Sequence, residues 1–203
     1  MSLQIAFDDQ GLVPCIAQDF ASGEVLTLAY ANEEALRLTL DTGEVHFFSR
    51  SRNRIWRKGE ESGNVLRLKQ ARIDCDGDAV LLLVEPSGPA CHTGERSCFY
   101  RELEGGEPAP VAHEAPAALQ RTLRSRAAER PAGSYTVKLL DDPKLIGAKV
   151  EEEAEEVVRA AREESDERVA EEAADLLYHL SVLLASRQVP QSAVMEVLNG
   201  RRS

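Results

Sequence analysis

Residues 104–116 read EGGEPAPVAHEAP, a stretch with two glycines, three prolines and almost nothing to bury. Such a segment has little capacity for regular backbone hydrogen bonding and reads as a linker, assigned to 107–116. The periodicity of the chain changes across it. Upstream, short apolar segments at 13–16, 25–30, 45–49, 65–73 and 79–84 alternate in the manner of strands. Asn32 before Glu33-Glu34-Ala35-Leu36 predicts a capped helix running to about Leu40 and stopping before Gly43. Downstream, the 3.6-residue period takes over at 117–130, 143–164, 167–188 and a short segment after Pro190, which suits a helix's first turn. The expected architecture is an α+β domain over 1–106, rich in strands and dimer-forming, followed by an all-α helical bundle over 117–203. Four helices in so short a bundle leave apolar faces that a partner chain would cover, so a homodimer is expected.

The chain's 203 residues carry 24 basic and 35 acidic side chains, a formal charge of −11. That charge disfavours nucleic acids and anionic membranes as partners. It is shared between the halves, with 11 basic against 17 acidic residues through Gly106 and 13 against 18 beyond, so neither half is a basic tail. The longest uninterrupted apolar run, 79–84, is far too short for a membrane span, and the N-terminus carries no signal-like pattern. The expected location is the cytoplasm, where the four cysteines stay reduced.

Cys15 sits between Pro14 and Ile16 and reads as a small buried hydrophobe. Cys75, Cys91 and Cys98 lie in denser chemistry, within DCDGD, CHTG and SCF. Three thiolates can hold Zn²⁺ with an open fourth position for water, or, with His92 as a fourth ligand, form a closed structural site. His92 can equally be a proton shuttle or a bystander. In an extended segment Asp74, Asp76 and Asp78 would share one face and Cys75 the other, so that three carboxylates could take Mg²⁺ beside a zinc site. An acidic loop that is simply solvated is the competing reading. His46, in a strand-like segment, reads as a packed histidine.

Between them lies SRSRNRIWRKG (49–59), with five cations from Arg50 to Lys58 inside an acidic protein. Ser49, Arg50, Arg52 and Lys58 match phosphate oxygens, and Trp56 can stack on a base or pack in the core. The alternative is a basic face paired with neighbouring acids. In the second half, KVEEEAEEV (149–157) and EEAADLLYH (171–179) are two acidic segments of helical period, within which acids recur three residues apart. Residues three apart share a helix face, so two packed helices can present four carboxylates, with Glu152 adjoining, to one Mg²⁺-polyphosphate. A helical wheel sets Glu172, Asp175 and His179 beside the apolar arc of Val169, Leu176, Leu180 and Leu183, predicting that they line a groove. Acidic helices of this composition are also ordinary solvated surfaces.

Residues 12–101 resemble phosphoribosyl-AMP cyclohydrolase, a histidine-biosynthesis enzyme, on FFSRSRNRIWRKGEESGN (47–64), DCDGDA (74–79) and GPACHTGERSCFYR (88–101). The resemblance implies zinc on Cys75, Cys91 and Cys98 with ligands drawn from both chains of a dimer, and magnesium on Asp74, Asp76 and Asp78. It further implies that hydroxide generated at zinc opens the purine ring at N1–C6; His92, by its residue type, is the candidate to move protons. Residues 117–202 resemble phosphoribosyl-ATP pyrophosphohydrolase, which acts one step earlier. That second resemblance, through its E-x-x-E and E-x-x-D pattern, implies magnesium on Glu153, Glu156, Glu172 and Asp175, with Glu152 a further candidate, and cleavage between the α and β phosphates. Glu151 departs from the pattern, since the family commonly has a small residue there. Lys138 and Lys149 are candidate phosphate contacts. The expectation is a bifunctional hydrolase of phosphoribosyl nucleotides. A general nucleotide pyrophosphohydrolase, or a zinc-stapled dimerisation module with an acidic partner surface, are the alternatives.

Overall fold

The computed structural model describes residues 5–201, and the chain divides into two compact units between Val111 and Ala112. In the first, β1 (Val13–Asp19) and β2 (Val25–Ala31) form an antiparallel hairpin, and α1 (Glu33–Thr42) leads to β3 (His46–Ser49) and β4 (Arg54–Arg57). β5 (Leu66–Ile73) and β6 (Val80–Pro86) close a six-stranded sheet of order β4-β3-β2-β1-β6-β5. Only β1 and β6 run parallel; every other neighbouring pair is antiparallel. The alternation of β1 is strict, every second residue being fully enclosed. Val13, Cys15, Ala17, Leu26, Phe47, Leu66, Leu82 and Val84 build the core, and α1 adds Ala35 and Leu36.

The ends of α1 follow the expected chemistry. Asn32 accepts the Ala35 amide at 2.9 Å, and Gly43 closes the helix in the left-handed region at φ 70°. β4, in contrast, lies inside the basic run and was not expected there. It pairs residue for residue with β3, and its Trp56 ring packs against Phe47 at 5.6 Å. The DCDGD segment also departs from expectation. It is not extended but bends tightly between β5 and β6, with Gly77 at φ 84° and the Asp74 and Ala79 backbones bonded across the turn at 3.1 Å.

The second unit opens on a 3₁₀ turn (Ala112–Glu114) and holds α2 (Ala115–Glu129), α3 (Tyr135–Asp141), α4 (Pro143–Glu163), α5 (Asp166–Ser186) and α6 (Gln191–Gly200). Five α-helices replace the expected four among the described residues. α3 has only seven residues, too few to show a period, and is capped by Ser134. Pro190 stands at the cap of α6, one residue before its first turn. α4 and α5 form a hairpin around Glu164 and Ser165; the Ser165 hydroxyl caps α5, and Asp142 caps α4. The core is small: Leu123, Leu139, Ile146 and Val182 are fully enclosed, one from each of α2 to α5. Val158, Leu177, Leu180, Met195, Val197 and Leu198 remain exposed. Among the described residues no helix is long and apolar enough to cross a membrane.

Candidate metal centres

The bend after β5 brings the three aspartates together. Asp74, Asp76 and Asp78 each offer an oxygen within 4.8 Å of the others, and all three are exposed. The expected convergence is present, but a turn produces it rather than strand alternation. The Ala79 amide donates to Asp74 and holds its carboxyl below the usual range, while the hydrogen bond from Asp74 and the charge of Asp76 push Asp78 up. Three exposed carboxylates held this close offer oxygens that a cation could take.

Cys91 and Cys98 are joined by a tight turn after β6. The Cys91 amide donates to Glu95 at 3.0 Å, Gly94 adopts φ 91°, and the Cys98 amide bonds the Leu26 carbonyl on β2 at 2.8 Å. Arg96 pairs with Asp19 and Glu24, and the Ser97 hydroxyl donates to the Val25 carbonyl at 2.7 Å, so the turn is pinned to the β1–β2 hairpin. The two thiols lie within reach of one another. The Thr93 hydroxyl donates to the Cys91 sulfur at 3.1 Å and lowers its pKa, whereas burial raises that of Cys98 against the Thr27 hydroxyl. Thr27 and Thr93 were not singled out from the sequence, because a threonine has no signature until its neighbour is known. The His92 ring is exposed, with Nδ1 at 3.9 Å from the Cys91 sulfur. Cys75, exposed beside Asp76, forms no three-donor group with Cys91 and Cys98 in the single chain, among the described residues. Cys15 is fully enclosed, and burial pushes its thiol up to about 12.

The basic run divides by partner. Arg52, Arg54 and Arg57 pair with Glu61, Glu60 and Glu44 at 3.7, 2.6 and 2.7 Å. Arg50 instead lies over the Tyr30 ring at 3.9 Å and Lys58 over Trp56 at 5.9 Å. Lys58 is also close enough to Cys98 for its charge to favour the thiolate. Ser49 accepts the Arg52 amide at 3.3 Å and so shapes the β3–β4 turn. His46 is satisfied, with Nδ1 at 2.7 Å from the Glu44 carbonyl.

In the helical unit, Glu153 and Glu156 from α4 and Glu172 from α5 bring oxygens within 4.8 Å of one another. Glu153 and Glu172 are buried and Glu156 half-buried, so this is not a solvated acidic face. Burial raises the Glu153 pKa, opposed by His179 and Lys149. Asp175 stands outside the three-carboxylate group and is exposed, as is Leu180, which corrects the expectation that Glu172, Asp175 and His179 line a groove together. Its charge still acts on Glu153. Glu152 is exposed and pairs with Lys149 at 2.8 Å. His179 is enclosed, with Nδ1 at 3.0 Å from the Asp175 carbonyl and 3.5 Å from Glu153, and Nε2 at 3.3 Å from the Tyr135 hydroxyl. Tyr135 escaped sequence reasoning because it belongs to the unrecognised α3. An open groove of about 490 Å³ along α4, lined by residues such as Ala154 and Val158, contains none of these three carboxylates.

Residues 27–100 match the family model of phosphoribosyl-AMP cyclohydrolase, and residues 117–202 that of phosphoribosyl-ATP pyrophosphohydrolase. The chain is also similar nearly end to end to curated relatives. It is 49% identical to the histidine biosynthesis bifunctional protein HisIE of Bacillus subtilis, over 98% of this chain and 96% of that protein. For the proteins of the same name from Pyrococcus furiosus and Aquifex aeolicus the identities are 49% and 43%, over 96% and 97% of this chain and 93% and 97% of theirs.

Proposed function

Because the chain belongs to the HisIE family of bifunctional histidine-biosynthesis proteins, we propose that its helical unit hydrolyses phosphoribosyl-ATP to phosphoribosyl-AMP and pyrophosphate. Its α+β unit then opens the purine ring of phosphoribosyl-AMP at N1–C6. The observation that carries the first step is the meeting of Glu153, Glu156 and Glu172 from two antiparallel helices. The second step is supported by the thiol pair Cys91 and Cys98, with Lys58 beside it, and by Arg50 and Lys58 resting on aromatic rings.

Glu153, Glu156 and Glu172, with Asp175 and Glu152 at the margin, would hold Mg²⁺, and Asp74, Asp76 and Asp78 would hold a second. Cys91 and Cys98 would hold Zn²⁺ with Cys75 supplied by a second copy of the chain, since one chain brings only two of the three thiols together. When bound, magnesium neutralises the charge of a polyphosphate and zinc makes water nucleophilic near neutral pH. The chain's own groups orient the substrate. Ser49, Arg50, Arg52 and Lys58 bind 5′-phosphates, and Trp56 borders the base. His92, exposed beside Cys91, delivers a proton to the ring nitrogen that leaves carbon. The exposed leucines and valines of α5 and α6 support a homodimer, and four free thiols suit the cytoplasm.

The test is to incubate the purified full chain with phosphoribosyl-ATP, Mg²⁺ and Zn²⁺ and follow pyrophosphate and the ring-opened product separately. Both should appear. In Glu172→Gln pyrophosphate release should fall about 100-fold or more while added phosphoribosyl-AMP is still opened, and Cys91→Ser should do the reverse. Turnover of ordinary nucleoside triphosphates at equal efficiency would overturn the substrate assignment.

A further inference from the structure

Each carboxylate of the helical cluster carries a cation from its own helix. Glu153 lies 3.8 Å from Lys149, Glu156 lies 3.4 Å from Arg159, and Glu172 is paired with Arg168. The two arginines are also tied to each other through Glu164 at the hairpin turn, which meets Arg159 at 3.5 Å and Arg168 at 3.3 Å. They therefore stand on the turn side of the cluster, and Lys149 stands on the other. Helix pairs at i,i+3 and i,i+4 are commonplace on solvated faces. These differ in that Glu172 is buried where the Arg168 guanidinium reaches it, whereas Arg168 itself is half-exposed and able to swing away.

We propose that Arg168, with Arg159 beside it, is a polyphosphate-binding group of this site that exchanges partners with magnesium: it neutralises Glu172 while the carboxylates are empty and turns to the phosphate oxygens once the cation takes them. The inference rests on the magnesium reading given above. Its physical basis is that one carboxylate oxygen cannot serve a guanidinium and a divalent ion equally well. The ion's arrival leaves Arg168 with Glu171 and Glu164, both exposed or nearly so, and a planar fork matched to phosphate. The class of ligand follows: an Mg²⁺-complexed di- or triphosphate rather than a monophosphate, because cations flank the carboxylates on both sides along the helices.

The exchange makes two affinities move in opposite directions. In metal-stripped full-length protein at about pH 8, Mn²⁺ binding read by electron paramagnetic resonance should tighten by about threefold to tenfold in Arg168→Ala, since a competing charge is gone. Binding of inorganic tripolyphosphate at saturating Mg²⁺, read by calorimetry, should weaken by about tenfold or more in the same variant. Arg168→Lys keeps the charge but not the fork, so it should bind Mn²⁺ as the parent does and tripolyphosphate weakly, which also covers the case of an alanine variant that fails to fold. Manganese affinity that is unchanged or weaker in Arg168→Ala, or tripolyphosphate affinity that is unchanged, overturns the exchange. Glu172→Gln separates the premises: if it removes no Mn²⁺ site from the parent, the metal reading itself falls and the exchange with it.

Discussion

Cys15 and Cys91 hold the same thiol in opposite settings, and their chemistry should diverge accordingly. Cys15 is walled in by the sheet core, and burial pushes its thiol up to about 12 from the ordinary 9.0 of an unfolded one. The folded pKa is raised, so the stabilisation is complete below pH 9.0 and is lost as pH climbs toward 12. Between those limits the unfolded chain gives up a proton that the folded one keeps, a slope approaching ~1.4 kcal/mol per pH unit. Measured in reductant, the alkaline fall of denaturation midpoint should be shallower in Cys15→Ala than in the parent; parallel curves would refute the assignment. The burial of Cys15 was legible from its apolar neighbours. The lowered pKa of Cys91 was not, because it depends on Thr93 folding back over the sulfur across a tight turn. Burial likewise separates Glu153 and Glu172 from Glu151, Glu152 and Glu155, which the sequence spells identically.

At the scale of elements, the loops that carry the chemistry depend on glycines of two kinds. Gly59, at φ +89°, packs so tightly that a Cβ would press into the Asn64 carbonyl and stand 2.6 Å from the Val65 nitrogen; Gly94, at φ +91°, faces open space. Gly59→Ala therefore meets both torsional and steric strain and should destabilise the first unit by roughly 2–4 kcal/mol, whereas Gly94→Ala should cost only about 1 kcal/mol. Trp56, the chain's one tryptophan, lies in that unit, so urea titrations followed by its fluorescence report the difference. Equal losses would show that the Gly59 loop yields more readily than its geometry implies. Elements with strong local signals were readable: Asn32 and Gly43 bracket α1, and long apolar periods mark α2, α4 and α5. β4 was hidden because cations occupy its exposed positions, and only Ile55 and Trp56 are half-buried. The DCDGD bend was misread because aspartate alternation suggests a strand unless Gly77 is taken to reverse the backbone.

At the scale of the whole molecule, the change of period across residues 104–116 made the two-part organisation visible, yet no sequence pattern could say which donors meet within one chain. Cys91 and Cys98 do; Cys75, on the far side of β6, does not join them. A two-fold dimer resolves this if each zinc takes Cys75 from one subunit and the other two thiols from its partner. Such a shared site has a consequence that a self-contained one lacks. Cys75→Ser and Cys91→Ser should each abolish ring opening and hold no catalytic zinc alone. When the two variants are refolded together, half the dimers are mixed. In each mixed dimer one site inherits both lesions while the other inherits none, so activity should return to about a quarter of the parent's, with zinc in proportion. Pyrophosphate release, which depends on the helical unit, provides the internal standard. Recovery near zero, with mixed dimers demonstrated by differential tagging, would mean that all three thiols come from a single chain. The β5–β6 bend would then have to move to bring Cys75 to its partners.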